Sequence, residues 1–257
     1  MTKVFDSVKS LRDTDSQCEK LVVILGATST GKSSLALKIA EEFDTEIISA
    51  DSMSVYRNFN VGTAKPTAEE LARVPHHMID ILDAEEKFSV GEFVRRARPI
   101  ITEINRRGKI PIVAGGTGLY IQALVEGYEF DSGKSSISHY KRTGELVYDA
   151  IVFGLTAERA KLYERINRRT NRMFEDGLIE EVKNLLASGI NPKAQAMLGI
   201  GYKETVEYLQ GVATLDETIA KISQATRNFA KRQLTWYRRM NYIRWLEIFD
   251  VCKGEKF

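Results

Sequence analysis

The chain is short of cysteine, of long apolar runs and of net charge, and each shortage removes a class of protein. Its two cysteines, Cys18 and Cys252, lie near opposite ends. Neither a disulfide framework nor a zinc site, which needs clustered ligands, is expected from them. No apolar stretch approaches the roughly 20 residues that cross a bilayer, so no membrane partner is expected. The opening MTKVFDSVKSLRDTDSQCEK is polar and lacks the apolar centre of a secretory signal, which makes the cytoplasm the expected location. With 37 Lys and Arg against 35 Asp and Glu, the net charge of +2 is too even to announce a nucleic-acid partner by composition. No internal repeat or low-complexity tract is visible. What is present, 257 residues at 43% hydrophobic and 28% charged, fits a soluble globular chain with a substantial core.

The apolar pattern alternates between two kinds of element. Residues 21–25 form a continuous, β-branched apolar run, the mark of a parallel strand covered on both faces. Residues 32–43 then read as a helix with Leu35, Ala36, Ile39 and Ala40 inward. A second strand is expected at Ile47-Ile48, a third at 110–116 and a fourth at 148–155. A helix is expected over 89–109, with Pro99 inside it, and another from Gly118. The remainder reads as helical over 156–174, 178–187, 202–209 and 215–240, the first of these capped near Thr156 and Glu158. Strand and helix in alternation predict an α/β fold with a parallel sheet, binding ligands at the carboxyl ends of its strands. Residues 1–19 are expected as a flexible lead-in, 20–127 as the core, 128–147 as an irregular connection, and 148–257 as completion of the core plus C-terminal helices.

Between the first strand and its helix stands GATSTGKS: Gly26, Ala27, Thr28, Ser29, Thr30, Gly31, Lys32 and Ser33. Its spacing is that of a P-loop, a turn whose backbone N–H groups and helix N-terminus face phosphate oxygens. Lys32 adds a cation there, and Ser33 supplies a hydroxyl for Mg²⁺. The apolar strand ending in Asp that normally completes an NTPase is not convincing. Asp80 and Asp83 of HHMIDILD follow only a short apolar run, and IPIVAGG ends in glycine. Asp51, in SADSMSVYR, lies just past a strand end. There it can hold a metal, accept a proton, or cap a turn. VAGGTGLY offers small backbone and the hydroxyl of Thr117 at another strand end. His76 and His77 are adjacent with no third ligand near, and read as structural. Near the C-terminus Arg227, Lys231, Arg232, Arg238, Arg239 and Arg244 interleave with Phe229, Trp236, Tyr237 and Tyr242, without an acidic residue. That mixture suits either RNA, through phosphate pairing and base stacking, or an amphipathic helix with a solvated basic face. ERINRRTNR adds a second basic group on a helix.

Taken together, GATSTGKS, SADSMSVYR, VGTAKPT, VPHHMIDI, FSVGEF, GKIPIVAGGTGLYIQALVEG, RINRRTNRMFEDGLIEEVKNLL, LGIGYKE and RNFAKRQLTWYRR resemble the tRNA dimethylallyltransferase family, in family order and over nearly all the chain after residue 20. The resemblance implies a P-loop NTPase-like α/β fold and transfer of a dimethylallyl group from dimethylallyl diphosphate to N6 of adenosine 37 of tRNA. It implies that Gly26 to Ser33 hold the diphosphate, with Mg²⁺ through Ser33 and added positive charge from Lys203. Asp51, Thr117 and Lys32 would serve catalysis. Asp51, Ser52, Met53 and Ser54 would meet the target base. Lys231, Arg232, Gln233, Leu234, Thr235 and Trp236 would line the path of the anticodon stem-loop. A monomer is implied. One departure is visible: family members carry a helical insertion after LYxxALxEG and then an Arg-rich RVxRALE segment before TG, where this chain has only residues 128–144 before the next strand, with SHYKRTG as a remnant of that segment's end. That keeps prenylation of free adenine nucleotides in view; a small-molecule P-loop kinase is the alternative the P-loop alone would allow, with the poor acidic strand and the whole-chain resemblance against it.

Overall fold

The computed structural model describes residues 1–130 and 145–247. Strands β1 (Lys20–Gly26), β2 (Ile47–Ser49), β3 (His76–His77), β4 (Ile112–Gly115), β5 (Asp149–Thr156) and β6 (Ile243–Glu247) make one six-stranded sheet, in the order β3-β2-β4-β1-β5-β6. Every pairing is parallel. β1 lies at the centre, with Val23 in register with Val113 of β4 and Val152 of β5. A strand paired on both edges and covered on both faces must be apolar throughout, which explains why LVVIL shows no alternation.

The helices are α1 (Thr2–Asp13), α2 (Lys32–Glu42), α3 (Ala68–Arg73), α4 (Val90–Arg106), α5 (Gly118–Val125), α6 (Arg159–Glu175), α7 (Leu178–Ala187), α8 (Tyr202–Leu209) and α9 (Leu215–Tyr237). They cover the sheet from two sides. Leu21, Val23 and Leu25 of β1 face a core shared with α4, α5, α7 and α8, whereas Val22 and Ile24 face one shared with α1 and α2. Successive residues of one strand thus feed opposite layers. The parallel sheet and its flanking helices are as expected.

Three sequence expectations need correction. Residues 1–19 are not a flexible lead-in: they contain α1, whose Val4, Val8 and Leu11 are almost fully buried against the sheet. Spacings of four and three residues place those side chains on one helical stripe, which a polar average composition conceals. α6 begins at Arg159, because Thr156 still belongs to β5 and Glu158 caps the helix without a side-chain bond. The last strand, β6, was not anticipated, since its edge position leaves Arg244 and Glu247 exposed and removes the apolar signal. The SHYKRTG remnant and Cys252 lie outside the described residues.

At the sheet edge His77 Nε2 lies 2.7 Å from Glu46 Oε2, and Arg107 Nη1 donates to Glu46 Oε1 at 2.6 Å. His76 Nδ1 lies 2.8 Å from the Val74 carbonyl. His77 therefore engages the residue just before β2, and His76 the chain before β3.

Candidate active site

The carboxyl ends of β1, β2 and β4 meet at one place, and the loops leaving them build the site. β1 ends at Gly26, where φ is +154° and a Cβ would lie 2.7 Å from the Leu155 carbonyl oxygen. Only glycine lets the chain leave the sheet here. The loop then curls, with Ser29 at φ 62°, and Gly31 at φ 83° starts α2. Thr30 Oγ1 and Lys32 Nζ both donate to the Ala27 carbonyl, at 2.7 and 2.8 Å. The Ser29 hydroxyl is buried and without a partner among the described residues. An orphan hydroxyl beside a helix N-terminus is what an anion-binding loop retains for its ligand. Burial, reinforced by the nearby Arg169 cation and opposed by Asp51, pulls the Lys32 ammonium down to about 8.

The second loop follows β2. A Cβ on Gly115 would lie 2.2 Å from the Ala50 carbonyl oxygen, so the ends of β2 and β4 approach as closely as backbone allows. Thr117 N–H donates to that same carbonyl at 3.2 Å, and Ser52 N–H donates to Thr117 Oγ1 at 3.1 Å. Asp51 Oδ1 accepts from Met53 N–H at 2.8 Å. Thr117 and Asp51 are thereby fixed side by side, with the Thr117 hydroxyl hydrogen and the second Asp51 oxygen left for a ligand.

Two cavities open over these loops. The larger, about 800 Å³, is lined by Ser29, Gly31, Lys32 and Ser33 of the phosphate loop, by Asn60, Val61 and residues 64–68, and by α6. The smaller, about 350 Å³, is lined by Thr28, Asp51 and Thr117, with an apolar wall that includes Met53, Ile200, Ile222 and Phe229. Arg169 and Met173 border both cavities. Arg169 Nη1 donates to Thr28 Oγ1 at 3.3 Å, and burial lowers its guanidinium pKa against the opposing pull of Asp51. Arg165, Arg168 and Arg172 join Arg169 along the larger cavity. Their spacing of three and four residues is the sequence signal that these cations share one face of α6; that this face borders the cavity is a property of the fold.

The structure brings Asp51, Ser52, Met53, Thr117, Lys32 and Ser33 together around these two cavities, while Ser54 is buried just behind. The α9 residues separate. Lys231, Arg232 and Thr235 are exposed, and Arg232 also lines the smaller cavity beside Phe229. Leu234 instead packs on Ala27, Leu162 and Ile166. Gln233 is buried, and a Cβ on Gly118 would meet the Trp236 ring at 2.6 Å. Of the six residues expected to line an RNA path, Lys231, Arg232 and Thr235 are exposed, whereas Gln233, Leu234 and Trp236 pack inward. Lys203 is exposed at the start of α8 and lines neither cavity, whereas Arg169 lines both. Of the two candidate NTPase aspartates, Asp80 pairs with Lys65 at 2.6 Å and Asp83 with Arg57 at 2.8 Å. Among the described residues no cluster of three His, Cys, Asp or Glu is placed to hold a metal.

Against known proteins, the IPP transferase family pattern matches residues 54–143 and 130–240, and an isopentenyl transferase pattern matches residues 19–85. The chain is 42% identical to a tRNA dimethylallyltransferase of Carboxydothermus hydrogenoformans, over 89% of this chain and 92% of the relative. The chain belongs to the tRNA dimethylallyltransferase family. A crystal structure of the full-length tRNA isopentenylpyrophosphate transferase from Bacillus halodurans superposes with a TM-score of 0.80 at 39% identity, covering 90% of each chain. A eukaryotic dimethylallyltransferase acting on tRNA superposes with a TM-score of 0.76 at 26% identity, covering 91% of this chain and 75% of that one. The alignment with the Carboxydothermus family member runs to 287 positions, more than the 257 residues of this chain, so that relative carries residues with no counterpart here. The two IPP transferase matches meet across residues 130–143. No helix among the described residues is long and apolar enough to cross a membrane.

Proposed function

We propose that this chain transfers a dimethylallyl group from dimethylallyl diphosphate to N6 of adenosine 37 in the anticodon loop of tRNA. The observation that carries this reading is the shared border at Arg169. On one side lies a basic cavity with a phosphate loop, and on the other a smaller, more apolar one with a carboxylate and a hydroxyl. A kinase needs its acceptor in line with the terminal phosphate. Here the second cavity instead suits a short isoprenoid chain and a flipped base.

The diphosphate lies against the loop N–H groups, the Ser29 hydroxyl, Lys32 and Arg169. As the allylic C–O bond breaks, charge grows on the departing diphosphate, and these preplaced cations and donors stabilise it. The N6 lone pair forms the new C–N bond from the smaller cavity. Asp51 takes the N6 proton, which an exocyclic adenine amine gives up more readily as that bond forms. Thr117 orients Ser52 and the approaching base. The products are N6-dimethylallyladenosine and diphosphate. Mg²⁺ fits through the Ser33 hydroxyl, an oxygen ligand on the larger cavity, because this ion is usually held by few protein groups plus phosphate and water. When bound it supplies further neutralisation of the diphosphate.

The exposed cations Lys231 and Arg232 of α9 face the anticodon stem-loop. The short connection over 128–147 stands where family members carry their helical insertion, so RNA affinity is lower than in longer relatives while the chemistry is kept. One chain lines both cavities, so a monomer suffices, and a tRNA substrate gives a cytoplasmic location. Incubation with labelled dimethylallyl diphosphate and either unmodified tRNA or AMP tests the reading. Label is expected in tRNA. Label in AMP alone, or phosphate transfer from ATP without prenylation, overturns it.

A further inference from the structure

α9 presents exposed cations on one side and, between them in sequence, an inward amide. Gln233 is 5% exposed, and both ends of its side chain are engaged by backbone from different loops. Its Oε1 accepts from Thr28 N–H at 2.9 Å, and its Nε2 donates to the Gly116 carbonyl at 2.8 Å. The partners fix the amide's orientation, since an N–H must meet the oxygen and a carbonyl must meet the nitrogen. One turn later, Tyr237 OH donates to the same Gly116 carbonyl at 2.8 Å. A Cβ on Gly116 would lie 2.5 Å from Gln233 Nε2, so glycine at 116 is what admits the amide.

These bonds join the two halves of the site. Thr28 belongs to the phosphate loop and borders the cavity that holds Asp51. Gly116 directly precedes Thr117, which accepts from Ser52 N–H. We infer that Gln233 is a positioning residue that registers the phosphate loop against the Thr117 turn from α9, and that it makes no RNA contact. The inference rests on the prenyl-transfer reading for its kinetic outcome, though the bonds at Thr28 bear on diphosphate binding alone. Holding leaving group and attacking base in register is worth a large factor in rate, because a misplacement of about 1 Å costs on the order of a hundredfold.

The test uses the full chain with Gln233→Met, which keeps the buried volume and loses both bonds, with Tyr237→Phe, and with the double variant. Steady-state rates are measured with dimethylallyl diphosphate and an anticodon stem-loop RNA, and inorganic diphosphate affinity is measured separately. For Gln233→Met, kcat is expected to fall about 10- to 100-fold, with KM for RNA within about twofold of the parent. Diphosphate affinity weakens several-fold. Tyr237→Phe alone loses less, and the double variant loses more than the product of the single effects, because the Gly116 carbonyl then has neither donor. A KM for RNA raised tenfold with kcat kept would make Gln233 an RNA contact and overturn the inference. Strictly multiplicative effects, or unchanged kcat and diphosphate affinity in Gln233→Met, would do the same. If the parent chain itself shows no prenyl transfer, the proposed function fails. The diphosphate titration then still decides the Thr28 half of the inference. Should Gln233→Met not fold, Gln233→Asn, too short to span both loops, takes its place with the same expectations.

Discussion

Arg169 on α6 donates to the Thr28 hydroxyl of the phosphate loop at 3.3 Å, and so stands at the border of the two cavities. A guanidinium in that place offers several donors at once, whereas an ammonium offers a point charge. Arg169→Lys is therefore expected to lower kcat/KM for dimethylallyl diphosphate by at least about tenfold, and Arg169→Ala by about 10²- to 10³-fold, the scale of losing a preplaced transition-state donor. KM for RNA should move far less. Equal activity of the Lys variant and the parent would remove Arg169 from the leaving-group site.

Lys32 is a second cation whose setting sets a pH dependence. Burial holds its pKa down at about 8, from an ordinary 10.5. Between those values the folded state has shed a proton that the unfolded chain keeps, so stability rises with pH across that window. Below about pH 8 the folded protein carries the full cost of a desolvated ammonium. Lys32→Met should accordingly raise Tm at pH 7, and the gain should shrink toward pH 10.5. The same residue serves binding in the opposite sense. Dimethylallyl diphosphate, titrated without RNA, should bind more weakly at pH 9.5 than at pH 7 in the parent. Lys32→Arg should bind it with little change. A Tm gain that grows with pH would contradict the assignment.

The parts of the site that are local in sequence were legible there. GATSTGKS declares itself through eight consecutive residues, and Asp51 through its place at a strand end. What could not be read are relationships across the fold. Arg169 and Thr28 are separated by 141 positions, and Gln233 and Thr28 by 205, so no window of sequence contains either pair. The motif around Gln233 was visible, but its helical face was not. An amide among basic and aromatic residues reads as part of an RNA surface until the helix is seen to turn it inward. α1 was hidden for a different reason: Val4, Val8 and Leu11, helped by the half-buried Phe5, suffice to dock a helix onto a sheet already apolar beneath it.

Glu181 of α7 holds the wall of both cavities. Its Oε2 accepts from the backbone N–H of Asn60 and Val61 at 2.9 and 2.8 Å, and its Oε1 from Gly62 N–H and from Tyr202 OH, at 3.2 and 2.7 Å. Tyr202 packs so closely that a Cβ on Gly62 would meet its ring at 2.4 Å. Asn60, Val61 and residues 64–68 line the larger cavity, and Gly62 and Thr63 the smaller. Glu181→Ala should cost roughly 2 kcal/mol from lost charge-assisted bonds, seen as a Tm lower by about 6 °C for a chain of this size. KM for dimethylallyl diphosphate should rise as well. Glu181→Gln keeps one acceptor oxygen and should lie between Ala and the parent. Unchanged Tm in the Ala variant would show that the loop holds itself.

Asp51 decides whether the site moves a proton as well as the dimethylallyl group. Met53 N–H donates to its Oδ1 at 2.8 Å, which fixes the carboxylate, and Asp51 lines the smaller cavity. Asp51→Asn preserves the shape and an acceptor oxygen but removes the base, whereas Asp51→Ala also removes the acceptor. If proton removal accompanies C–N bond formation, both variants lose turnover by about a hundredfold or more, with dimethylallyl diphosphate binding largely kept. If Asp51 only orients the base, the Asn variant should retain most of its turnover and the Ala variant should not. Single-turnover rates for the two variants at saturating RNA separate these outcomes. They also exclude product release as the step that hides the difference.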